Sequence, residues 1–195
     1  MRDEDPTDFY FQQFSQRDAC EIADVEMSTV NNWLQRGDFK LADAEDKRLK
    51  GRRLFAVADV AALYAMNFCV RWMDMRPAAA FIAGQIVHSS FRDNLFRPIT
   101  DGEGHELTVW HLMHKTPFND GWSIQAVWQD INTGKFYHYD PSVFGKAVPF
   151  GFPHFPCLTI PTTEMSREIL TRSVQFLAGE VVPKMSDFWG VSDGI

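Results

Sequence analysis

Cysteine is scarce and scattered. Cys20, Cys69 and Cys157 lie far apart in apolar surroundings and form no C-x-x-C pair. That spacing supports neither a zinc ribbon nor a dithiol redox motif, and the odd count fits a reducing compartment in which each thiol fills core space. Long apolar runs are missing too. No stretch approaches ~18 apolar residues, so no membrane span is expected. The N-terminus is acidic rather than basic and apolar, which argues against a signal peptide and for a cytoplasmic location. Positive charge is also in deficit, with a formal net charge of −7. Nucleic-acid-binding domains usually have a basic balance, so such a function has to rest on a local surface. No metal-ligand spacing and no cofactor motif stands out, and none is assigned.

What is present is apolar and aromatic. Of 195 residues, 45% are hydrophobic and 14% aromatic, enough for one large domain or two small ones. The most organised stretch runs from Ser15 to Phe55. Ser15 with Asp18 three residues later is a capping-box pair, and Ala19, Ile22 and Ala23 follow at helical spacing. Asp24-Val25 breaks that pattern. A second helix is expected from about Met27 to Arg36, with Val30, Trp33 and Leu34 inward and Gly37 as its stop. Its outer face holds Ser28, Asn31, Asn32, Gln35 and Arg36. Two short helices joined by a tight turn, the second with a polar outer face, form a helix-turn-helix pattern. Asn and Gln can bond bidentately to adenine, and Arg to guanine. The bland alternative is a helical hairpin that binds nothing.

The next segment favours the sharper reading. Phe39-Lys40-Leu41 reads as a strand, residues 43–50 as a charged turn, and Arg52-Arg53-Leu54-Phe55 as a second strand. Five of the seven positions 47–53 are basic: Lys47, Arg48, Lys50, Arg52 and Arg53. Residues 36–53 hold seven basic and four acidic residues, against eight basic and twelve acidic over 91–195. A basic hairpin of this kind neutralises phosphates; the alternative is a solvated loop.

The run Val25-Glu26-Met27-Ser28-Thr29-Val30-Asn31-Asn32-Trp33, then Gly37, Gly51-Arg52-Arg53-Leu54-Phe55, Asp59-Val60 and Leu63 resembles the winged-helix head of the MerR family. Phage excisionases and some small terminase subunits share that head. The resemblance covers about residues 14–85. It implies double-stranded DNA as partner, a homodimer, and a DNA-binding set of Ser28, Thr29, Asn31, Asn32, Gln35, Arg36, Lys47, Arg48, Lys50, Arg52 and Arg53. Asp24 and Glu26 stand where the family usually carries Gly and Ser or Thr, and Asn31 stands where Arg is usual. Asp24 and Glu26 therefore put acid beside the expected duplex backbone. The family's long coiled-coil helix and metal-binding cysteines are not evident.

The fold expected is α+β: an N-terminal winged helix-turn-helix, then a small α+β domain with an antiparallel sheet and a C-terminal helix. Residues 1–14 form an acidic and aromatic arm whose Phe9, Tyr10, Phe11 and Phe14 are expected to pack on the head. The head covers 15–91, with helices from Ala58 to about Met73 and from Ala78 to about Phe91. His88 sits near the end of the latter. Residues 92–106 are expected as a linker, 107–183 as a dimerisation or effector domain, and 184–195 as a tail. Strands are expected over 107–114, 122–129, 135–139 and 157–160, with 148–156 irregular. In 122–129, Trp122, Ile124, Ala126 and Trp128 share one face. A helix follows from Thr162 or Thr163 to Ala178, with Met165, Ile169, Leu170, Val174, Phe176 and Leu177 apolar.

His111 and His114, three apart in a strand, face opposite sides and cannot share a metal. His138 with Asp140, or Cys157 with His154 or His138, are the pairs from which an enzyme would be built, but no partner nucleophile or metal is nominated. The function these readings support is a sequence-specific DNA-binding transcriptional regulator of bacterial or phage type, not an enzyme. Its second domain is a place for a protein partner or a small-molecule effector. The alternatives are a winged-helix adaptor or phage assembly protein acting through protein contacts, and an enzyme with its site in the C-terminal domain.

Overall fold

A computed structural model describes residues 13–41, 48–49, 52–96, 99–100, 106–115, 122–130, 133–139, 147–149 and 158–189. The chain is mixed α+β with antiparallel sheets, and it divides into two compact units, residues 1–91 with 165–195 and residues 92–164.

The first unit begins with strand β1 (Phe14–Ser15) and helix α1 (Gln16–Ile22). The capping box is closed both ways: the Asp18 amide donates to Ser15 Oγ at 3.3 Å and the Ser15 amide to Asp18 Oδ2 at 2.9 Å. Ala19, Ile22 and Ala23 are fully buried. Helix α2 (Met27–Arg36) ends at Gly37, whose φ of 74° is the left-handed stop expected of it.

Residues 39–41, expected as a strand, are not one. Phe39 is buried instead, its ring edge-on to Phe81 at 5.8 Å. Its amide donates to the Trp33 carbonyl at 3.2 Å, closing the end of α2 rather than joining a sheet. The hairpin is made by β2 (Arg48–Leu49) and β3 (Arg52–Phe55), with Arg48 opposite Arg53 and Leu49 opposite Arg52. β3 also pairs with β1, Phe14 opposite Phe55, so the sheet order is β1-β3-β2. Phe14 of the N-terminal arm is buried there; Phe9, Tyr10 and Phe11 lie outside the described residues.

Helix α3 (Val57–Trp72) is the centre of this unit, and every residue from Val57 to Cys69 is buried. A helix apolar nearly all round belongs in a core. Helix α4 (Pro77–Phe96) crosses it at Gly84, where a Cβ would stand 2.9 Å from the Ala62 carbonyl oxygen. α4 runs five residues past its expected end, so residues 92–96 are helical rather than linker. His88 is thus inside the helix, and its imidazole meets Asp59 rather than a helix terminus.

Helix α5 (Thr162–Leu177) departs most from expectation. From Met165 onward it belongs to the first unit. Met165 and Ile169 are buried, but so are Arg172 and Ser173, while Val174 and Leu177 are 59% and 65% exposed. Arg172 shares the face of Met165 and Ile169, and its polar contacts make its burial possible. Arg172 donates from Nε to the Ile22 carbonyl at the end of α1, where a backbone acceptor lacks a helical partner. It also pairs with Glu168 at 3.5 Å and lies 5.5 Å from the Tyr64 ring centroid. Phe176 meets Phe14 edge-on at 6.2 Å. The expected tail is docked as far as Trp189: α6 (Met185–Trp189) buries Met185, and Trp189 Nε1 donates to the Tyr64 hydroxyl at 2.8 Å.

In the second unit, β4 (Ile99–Thr100), β5 (Glu106–Lys115), β6 (Trp122–Asp130), β7 (Phe136–Tyr139) and β8 (Ala147–Pro149) form an antiparallel sheet in chain order, and β9 (Leu158–Ile160) adds to β5. Two of these strands were not expected. β4 falls in the linker region, and β8 overlaps the stretch read as irregular. Asp130 closes the β6–β7 turn by accepting from the Thr133 hydroxyl at 2.6 Å, and Gly134 adopts φ 68°. In β6, Val127 is fully buried on one face and Asp130 is 2% exposed on the other, whereas Ile124 is 42% exposed.

Candidate nucleic-acid interface

Helix α2 divides its residues cleanly. Val30 and Trp33 are buried, Leu34 is half-buried, and Ser28, Asn31, Asn32, Gln35 and Arg36 are exposed. Thr29 is half-buried and lines a cleft of about 830 Å³ together with Asn67, Arg71 and residues 179–184. Two of the outer residues have partners. Gln16 Nε2 donates to Asn31 Oδ1 at 2.8 Å, and the Ser28 hydroxyl donates to Glu26 Oε2 at 3.2 Å. Asn31 keeps its two amide N–H donors outside that bond. Glu26 is the N-cap residue of α2 but makes no side-chain capping bond.

The turn explains Asp24. The chain reverses there with φ of 50°, a left-handed conformation that Asp tolerates better than most residues. Its backbone carbonyl accepts from Asn67 Nδ2 at 2.8 Å. Its carboxylate accepts from Lys184 Nζ at 3.1 Å and from the Met185 amide at 2.9 Å, and Arg71 stands 3.7 Å away. The acid expected to oppose a duplex is therefore met within the protein. A glycine there would provide the φ and the carbonyl, but none of the carboxylate's bonds. Lys184, Met185 and Asn67 lie far along the chain, so no local spacing points to them.

Of the basic hairpin, Arg53 is half-buried. The backbone of Arg48 and Arg52 is paired as above, but their side chains, with Lys47 and Lys50, lie outside the described residues. The structure thus brings Ser28, Asn31, Asn32, Gln35 and Arg36 onto one exposed face, and it places the backbone of the hairpin in the same unit.

The thiols of this unit are core groups. Cys20 and Cys69 are free and buried, and burial pushes the first up to about 11 and the second up to about 12. Neither forms thiolate readily at neutral pH.

In the second unit, His111 is held low, at about 4, by burial, so its ring is neutral near pH 7. The Thr162 hydroxyl donates to the Val109 carbonyl at 2.9 Å and lies 3.1 Å from His111 Nδ1. Its single proton being used, Nδ1 must be the donor, which assigns the Nδ1–H tautomer. His111 is a strand-to-helix tie, with Thr163 Oγ1 accepting from the Val109 amide at 2.8 Å beside it. Among the described residues no group of three His, Cys, Asp or Glu side chains could hold a metal. Asp140, His154 and Cys157, with the side chains of His114 and His138, lie outside them. Nor is any described helix long and apolar enough to cross a membrane.

No protein-family model and no curated protein matches the chain.

Proposed function

We propose that the protein is a sequence-specific DNA-binding transcriptional regulator of bacterial or phage type, with a MerR-like winged helix-turn-helix head, acting in the cytoplasm as a homodimer. The observation that carries this reading is the exposed amide and guanidinium face of α2 opposite a fully apolar buried one. In this reading α2 enters a major groove. Ser28, Asn31, Asn32 and Gln35 meet base edges, while Arg36, Lys47, Arg48, Lys50, Arg52 and Arg53 hold phosphates or enter the adjacent minor groove. A single head covers few base pairs, hence the dimer on a two-part site. The sheet order β1-β3-β2, with a basic hairpin following α2, supports the same reading.

Selection of bound sites from random duplexes is the direct test, and one enriched motif is expected. Arg52→Ala with Arg53→Ala should lower the slope of log affinity against log salt by about two. Gln35→Ala should relax the preference at one base position by about 1–3 kcal/mol. An unchanged slope, or no enrichment, contradicts the reading. The net charge of −7 favours a second reading, an adaptor or assembly protein working through protein contacts. Absence of salt-dependent DNA binding by the intact chain selects that one.

A further inference from the structure

A second cleft, of about 460 Å³, opens in the first unit among residues 40–41, α3 and α4. Its apolar lining is Leu41, Ala62 and Phe81, and its polar lining is Lys40, Asp59, Gln85, His88 and Ser89. The volume is within the range of small-molecule sites. Lys40 is exposed at its edge. Asp59 lines the cleft beside His88: its Oδ1 stands 3.4 Å from Nε2, and the other oxygen of the same carboxylate accepts from the Ala56 amide at 2.9 Å. The buried acid is thereby committed to the start of α3 and to the imidazole, while the ammonium of Lys40 faces water.

We infer that this cleft is a binding site for a small organic monocarboxylate, such as an aromatic acid. Its apolar body lies on Phe81, Leu41 and Ala62, and its carboxylate meets Lys40 with His88 alongside. The inference rests on the regulator reading for its purpose and places an effector site in the head, not in the second unit. The route to α2 is short. Phe81 forms one wall, Phe39 packs edge-on against it, and the Phe39 amide bonds to the Trp33 carbonyl of α2. Residues 39–41 also lead from α2 toward the hairpin, so an occupant of the cleft bears on both.

The test is titration of the intact protein with benzoate and with benzamide, its uncharged analogue, followed by calorimetry and by the ring resonances of His88. Benzoate should bind saturably and move the His88 signals. Benzamide, and benzoate against Lys40→Ala, should each bind about tenfold more weakly, the worth of a charge-assisted hydrogen bond. Lys40 is exposed, so its replacement leaves the fold in place, which unchanged thermal unfolding would verify. No saturable binding, equal affinity for the two probes, or binding that leaves His88 unmoved overturns the inference. No DNA enters the titration, so its failure leaves the regulator reading standing, and failure of DNA binding leaves the site itself testable.

Discussion

Arg172 joins three parts of the first unit. It is 1% exposed, yet it caps α1 through the Ile22 carbonyl, pairs with Glu168 and faces the Tyr64 ring. Its Nη2 has no hydrogen-bond partner among the described residues. A buried charge costs much unless paired, and burial has already raised the Glu168 carboxyl above its usual range. Arg172→Ala strands that acid and uncaps α1. The expected loss is roughly 3–5 kcal/mol in urea unfolding. Arg172→Met with Glu168→Gln removes both charges and should lose clearly less. Equal losses in the two variants would show that the pair is not what matters.

His111 predicts a pH dependence at the same scale. Its folded value, about 4, lies below the ordinary 6.5, so the unfolded chain takes up the proton first on acidification. The stability of the second unit should be full above pH 6.5 and fall between there and 4. The loss is up to about 3 kcal/mol, reduced by the partial solvent contact of the ring. Hydrogen exchange of the β5 amides, Val109 above all, reads this directly. His111→Gln should flatten the profile over that window, and a profile unaltered by the substitution rejects the assignment.

Among the elements, α3 and α4 approach closest at Gly84. With an Ala62 carbonyl oxygen 2.9 Å from where a Cβ would be, Gly84→Ala has to push the helices apart, since backbone cannot swing aside as a side chain can. The cost should be about 1–3 kcal/mol, measured as a lowered unfolding midpoint; an unchanged midpoint would show that the helices move freely. The hairpin shows what an element needs beyond propensity. Phe39-Lys40-Leu41 has strand-like composition, but the pocket beside Phe81 takes the Phe39 ring, and the pairing falls to Arg48–Leu49. In α5, Met165 and Ile169 fall on one helical face and are buried, while Val174 falls on the opposite side and is exposed. Arg172 lies on the face of Met165 and Ile169 and is buried with them.

The first unit is discontinuous in sequence. Residues 13–91 provide α1, α2, α3 and α4 as far as Phe91, and 165–189 return to cover them, with Asp24 receiving Lys184 and Met185, and Tyr64 receiving Trp189. A fragment ending at residue 91 lacks Arg172, Met165 and Ile169. It is expected to bind a hydrophobic dye and to give no sharp thermal transition, whereas the whole chain unfolds cooperatively. A sharp transition in the fragment would mean that the returning segment is dispensable.

The legible parts of this protein are those whose partners lie within a few residues. The Ser15–Asp18 box, the Gly37 stop, the span of α2 and its buried Val30 and Trp33 all follow from helical spacing and capping chemistry, which act over one turn. So do the exposed positions of α2, because a helix that buries one stripe must show the other. What spacing cannot supply is the identity of a partner 43 to 161 residues away. Asp24 reads as a misplaced acid until Asn67, Lys184 and Met185 are seen around it. Arg172 reads as a surface cation until Ile22, Glu168 and Tyr64 close over it. Whether a polar side chain such as Arg172 goes inward depends on what covers it, and covering is a property of the folded chain: local order was determined by the sequence, and burial was decided by the tertiary structure.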